Sequence, residues 1–143
     1  MQEDEDKSKD SLLRDYDTVL KESTLLTTFS GVLFGFLLNI SITASNRLEY
    51  PHKIILVLAL FSITIAVSLF VMPVIYHHVQ FPYRDLGKFK RRAHRFIMFG
   101  LAPTFFTLYL GMVLAFAPLI NNFGYVIAML PFALVYFLYR LRK

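Results

Sequence analysis

The stretch FIMFGLAPTFFTLYLGMVLAFAPLINNFGYVIAMLPFALVYFLY, residues 96–139, holds no Asp, Glu, Lys or Arg. A helix that crosses a hydrocarbon core about 30 Å thick needs roughly 20 apolar residues. This run is too long for one crossing and must fold back. Its break falls in residues 117–124, where Pro118, Asn121, Asn122 and Gly124 gather the usual turn formers. Two further charge-free runs, residues 23–46 and 54–83, have room for one crossing each. The spacing predicts an all-α polytopic membrane protein, a four-transmembrane-helix bundle with spans near 25–44, 54–75, 96–116 and 123–139. A soluble protein with apolar core helices is the alternative, but none of the four segments has a polar face to present to water.

The 143 residues make one membrane domain, 11–143, behind a short tail. The chain has no cysteine, which excludes disulfides, thiolate nucleophiles and thiolate metal sites. Residues 1–10 are charged and polar without apolar periodicity and are expected to form a disordered acidic tail. From Ser11 onward, Leu12, Leu13, Tyr16, Val19 and Leu20 recur at helical spacing, so an amphipathic lead-in helix is expected over 11–23. A cleaved signal peptide needs a basic lead, and these residues are acidic.

Basic residues set the orientation. Thirteen of the fifteen Lys and Arg lie in the N-terminal tail, in residues 76–95 and at the C-terminus. Only Arg47 and Lys53 lie in the other connections. By the positive-inside rule, both termini and the middle loop face the cytoplasm of a multi-pass cell-membrane protein. Tyrosines fit this frame, with Tyr50 and Tyr125 at the outer interface and Tyr76, Tyr83, Tyr136 and Tyr139 at the inner one.

At the inner interface the sequence offers His77, His78, Arg91, Arg92, His94 and Arg95. Basic residues at 84–95 suit anionic lipid headgroups, at about 1 kcal/mol per residue near the surface. Nucleic acid is not an expected partner, because no reading module accompanies the loop. Three imidazoles raise the question of a metal or of an enzyme acting on lipid. Adjacent histidines, however, point about 100° apart on a helix and make a poor chelate. No nucleophile, carboxylate pair or phosphate loop joins them. No cofactor, no metal and no enzymatic activity are expected.

No charged residue lies inside any span, so a carboxylate-based ion carrier lacks its usual marker. The uncharged polar residues carry more information. At 1.5 Å per residue, Asn39 falls roughly 7 Å outside the midplane, and Ser62, Thr64, Thr104, Thr107 and Tyr109 fall near the middle. These six form a candidate polar layer, either interhelical hydrogen bonding or a hydrated path. In the first span, steps of four give Thr27, Gly31, Gly35, Asn39 and Thr43, a small and polar stripe containing a GxxxG. With Gly111 of the third span it forms a candidate packing seam, since small residues let helices approach closely in lipid. Pro73, Pro103 and Pro131 lie within spans and each frees a carbonyl four residues earlier.

Three segments in order, GFLL at 35–38, MPVIYHHVQF with Pro73, His77 and Phe81, and AHRFIMFG with Ala93, Arg95 and Gly100, resemble an uncharacterised domain-of-unknown-function family. Its members are small four-span prokaryotic integral membrane proteins, and the similarity covers about residues 22–116. The resemblance implies the four-span architecture. Some members carry an automatic sodium:proton antiporter label, which is not carried over here because no span holds an acidic residue. The expected role is a non-catalytic helix bundle, an accessory subunit or a homo-oligomer. The alternative is a small ion channel or transporter with an uncharged polar path around Asn39.

Overall fold

The computed structural model describes residues 2–44, 46–80, 86–120 and 123–141. Phe81, Tyr83, the 84–85 part of the basic loop, Asn121, Asn122, Arg142 and Lys143 lie outside the described residues. Four helices follow in order: α1 Gln2–Thr43, α2 Tyr50–Gln80, α3 Leu86–Ile120 and α4 Phe123–Leu141. Each contains a segment long and apolar enough to cross a membrane: Asp17–Thr43, Tyr50–Val79, Gly87–Ala117 and Phe123–Leu141. The four-helix, all-α membrane architecture therefore holds, with the fold-back between Ile120 and Phe123 where the turn formers gather.

The helices outrun the apolar spans. Hydropathy marks only the part that lipid can cover, whereas helix formers such as those of residues 88–95 continue the backbone pattern beyond it. At the other end of the chain, α1 begins at Gln2 and so takes in residues of the acidic tail. Residues 2–10 contain neither Gly nor Pro, and acidic residues early in a helix suit its dipole.

The largest interface joins α2 to α3; α1 lies against both, and α4 lies along α3. On α2 the covered face is Leu56, Ala59, Ser62, Ile63, Ala66 and Phe70, at three- and four-residue steps. Ala59, Ser62 and Ala66 are small, so α3 comes close enough for hydroxyl groups to reach backbone across the seam. Further along, the Phe70 ring fills the space over Gly100, where a β-carbon would lie 2.5 Å from the ring. On α1 the line of buried Val19, Ser23, Ser30 and Leu37 is continued by half-buried Leu26, Leu33 and Ile40, with Leu20, Thr27, Phe34 and Ser41 half-buried beside it. The line's alternating steps of four and three are the 3.5-residue repeat of left-handed helix packing. Ser23 Oγ donates a hydrogen bond to the Phe70 carbonyl and ties α1 to α2.

The α4 helix is held at one end. Only Gly124 and Ala128 are buried in it, and Ala128 joins Val113 and Ala117 of α3 in a small apolar cluster. Outside the seams the surface is apolar, with Ile42, Phe61 and Phe99 among its exposed side chains. An apolar belt of this extent is what a bilayer covers.

A β-carbon on Gly124 would lie 2.7–2.8 Å from backbone atoms of Phe116 and Ala117. Backbone cannot swing aside as a side chain can, so Gly124→Ala is expected to lose about 1–3 kcal/mol by overpacking. Gly31→Ala meets nothing within 4 Å and is expected to stay within about 0.5 kcal/mol of the parent. Unfolding titrations of single chains in mild detergent compare the two.

Candidate functional site

Of the six residues expected in a polar layer, Ser62, Thr104 and Thr107 come together. Ser62 Oγ donates to the Pro103 carbonyl at 2.9 Å. Thr107 Oγ1 lies 2.8 Å from that same carbonyl and 3.4 Å from the Ala59 carbonyl across the seam. Thr104 Oγ1 donates to the Gly100 carbonyl at 2.9 Å. All three residues are buried. In lipid each unmet polar group is costly, and here every hydroxyl has a carbonyl. The other three lie elsewhere. Thr64 is exposed and bonds the Leu60 carbonyl of its own helix, Asn39 is exposed on α1, and Tyr109 meets the Phe132 ring edge-on at 6.3 Å.

The α1 stripe does not join helices within the chain. Gly31, Gly35, Asn39 and Thr43 are exposed, and Thr27 is half-buried with its hydroxyl on the Ser23 carbonyl. Gly31, Gly35 and Gly111 have open space where a β-carbon would sit. The reason is geometric. A step of four residues turns about 40° beyond a full circle, so the stripe starts beside the seam and winds away from it. The 3.5-residue set carries the contact instead. Ser30 is buried in it, its Oγ without a partner among the described residues.

At the end of the bundle rich in basic residues, Tyr76 of α2 stacks on Phe89 of α3 at 5.7 Å. The Arg92 guanidinium lies 5.6 Å from the Tyr76 ring centre and donates to its hydroxyl at 2.6 Å. This cluster was not singled out from sequence, although Tyr76 and Arg92 each were. It fastens the α2 and α3 ends around the connection. The His77 and His78 rings stand 5.3 Å apart at 49°, while His94, Arg91 and Arg95 are exposed on α3. Among the described residues no three His, Asp or Glu side chains gather as a metal set would.

At the opposite end, a cavity of about 640 Å³ is lined by Arg47, Leu48, Glu49, His52, Ala117, Leu119 and Ile120. His52 Nε2 is buried there without a hydrogen-bond partner among the described residues. Nothing in the spacing of these residues announced the cavity. It forms only because the α2 entry folds over the end of α3.

Thr107→Val keeps the side-chain shape and removes the bridging hydroxyl. It is expected to cost about 0.6–2 kcal/mol, the range of interhelical hydrogen bonds in lipid. Asn39→Leu, on the exposed face, is expected to cost under about 0.5 kcal/mol. Denaturant titration in micelles reads both.

No curated protein and no solved structure matches the chain. A family model described as a family of unknown function (DUF6328) matches residues 4–141. That match extends past both limits of the resemblance read from the three short segments, and with it the chain belongs to the DUF6328 family of unknown function.

Proposed function

We propose that this protein is a non-catalytic helix bundle of the cell membrane that works by association, copy against copy, through the exposed face of α1. One observation carries this. A β-carbon on Gly31 or Gly35 would meet nothing within 4 Å, and the exposed side chains of Phe29, Val32 and Phe36 stand beside them. With Val32, Phe36 and Phe29 on one flank and the exposed Leu38 on the other by helical rotation, that is a shallow groove with apolar walls, the shape into which a second helix packs when lipid gives no hydrophobic drive and close approach must supply the attraction. The satisfied hydroxyls of Ser62, Thr104 and Thr107 support packing over a hydrated path. An accessory role in a larger membrane complex would use the same groove with a different chain.

Both termini and the basic connection face the cytoplasm in this proposal, with anionic headgroups against residues 84–95. Four crossings leave the termini on one side whichever way the bundle points, and the distribution of Lys and Arg selects that side.

The absence of cysteine makes single-cysteine probes clean. In native membranes, Val32→Cys on the α1 groove is expected to form a disulfide-linked dimer, and Val57→Cys on the exposed face of α2 is not. Adding Gly35→Leu to Val32→Cys is expected to lower cross-linking about tenfold, a loss of 1.4 kcal/mol. Equal cross-linking at both positions, or none at Val32→Cys, contradicts association through α1. In the same membranes, Lys90→Cys is expected to resist a membrane-impermeant thiol reagent until the cell is opened, while Lys53→Cys reacts at once.

A further inference from the structure

The α3–α4 seam is a wedge. Residues of α4 that face α3 follow one another at steps of four: Gly124, Ala128, then Phe132. Side-chain size grows along that line, from nothing to a methyl group to a ring. Gly124 lets the backbones touch, whereas Phe132 stands edge-on to Phe105 and Tyr109, each at 6.3 Å between centres. Beyond Phe132 no face of α4 is covered. Every hydrophobic side chain from Leu134 to Leu141 is at least 57% exposed. A helix lying against a neighbour would bury one stripe, so this half of α4 stands clear of α3.

The opening is a crevice of about 530 Å³, lined by Leu108 and Met112 of α3 and by Phe132, Val135, Tyr136 and Tyr139 of α4, among others. Its wall is carbon almost throughout. Its depth follows from the pairing of the antiparallel helices. Gly124 lies at Ala117 and Phe132 at Tyr109 and Phe105, which brings Tyr139 level with about Ala102 by helical rise. Roughly 10 Å further toward the basic end, at 1.5 Å per residue, come Arg95, His94 and then Arg91. These three are exposed, and His94 falls on the same face of α3 as Leu108 and Met112 by helical rotation. On the other wall Arg140, also exposed, follows Tyr139 directly. The crevice is therefore apolar inside and flanked by cations at its mouth.

We infer that this crevice holds one acyl chain of an anionic glycerophospholipid, whose phosphate lies beside Arg140 of α4 at the mouth, on the side toward His94 of α3. The lining fits an alkyl chain and offers nothing to a polar solute. Basic residues at the mouth fit a phosphate with a further negative charge. A second copy's helix would bring apolar side chains to the same cations and leave them without a counter-charge. The site uses α3 and α4 only and is independent of association through α1.

The chain has no tryptophan, so Phe132→Trp is a single reporter inside the crevice, with Phe61→Trp on the exposed face of α2 as its control. Both are reconstituted in vesicles containing brominated phosphatidylglycerol or brominated phosphatidylcholine at low mole fraction. Phe132→Trp fluorescence is expected to be quenched with about a fivefold preference for the glycerol headgroup per engaged arginine, and Phe61→Trp with none. Arg140→Gln is expected to reduce that preference about fivefold and leave the quenching by phosphatidylcholine unchanged. Native mass spectrometry of the unsubstituted chain is expected to show one retained phospholipid per chain after detergent extraction. Equal quenching by the two headgroups, an unchanged preference in Arg140→Gln, or a lipid-free chain overturns the inference. So does a reporter shielded from both lipids in a dimer.

Discussion

The seam between α2 and α3 sets everything else in place, and it depends on how closely two backbones can approach. Ala59, Ser62 and Ala66 on one side, and Gly100, Thr104 and Thr107 on the other, leave little side-chain bulk between the helices. Inside a bilayer apolar surface has no water to escape, so contact and hydrogen bonding must supply what hydrophobic burial supplies in a soluble core. The Pro103 carbonyl accepts from Ser62, and Thr107 reaches the Ala59 carbonyl. Phe70 fills the volume that Gly100 leaves open. With this pair fixed, α1 has a groove to lie in and α4 a surface to touch.

The number of crossings was legible because charge is so expensive in hydrocarbon that its absence marks each span, and because Pro118, Asn121, Asn122 and Gly124 mark the fold-back. Which residues face one another was less legible. In a soluble protein apolar character separates inside from outside; here Phe61, exposed, and Phe70, buried, both sit in apolar runs. Small residues were the remaining signal, and they are ambiguous. The GxxxG of α1 looks like a seam, yet the glycines that close contacts require are Gly100 and Gly124. Counting in fours traces a different line around α1 from the contact within the chain, where Val19, Ser23, Leu26 and Ser30 keep the 3.5-residue repeat. Ser62, Thr104 and Thr107 all bond backbone carbonyls, since hydroxyls near the middle of a bilayer have few places to go. Asn39 shares their approximate depth and faces away, since depth says nothing about direction.

The distribution of unused surface bears on function. Besides the cavity at His52, two faces stay open after the bundle has formed: the small-residue face of α1 and the free half of α4. The first is narrow and nearly featureless, suited to another helix. The second is wide, aromatic and bordered by arginines, suited to lipid. The hydroxyls of Ser23, Ser62, Thr104 and Thr107 are committed to carbonyls, and the aromatic and guanidinium cluster of Tyr76, Phe89 and Arg92 closes one end.

Association through α1 is tested most directly by the distance between copies in a bilayer. A spin label on Ile42→Cys sits on the exposed side of α1 and leaves Gly31 and Gly35 untouched. Helices packed at 8–10 Å between axes would give a sharp interspin distance below about 30 Å in pulsed dipolar measurements. A signal with only the decay of randomly placed single chains, at protein densities where cross-linking is seen, would contradict it.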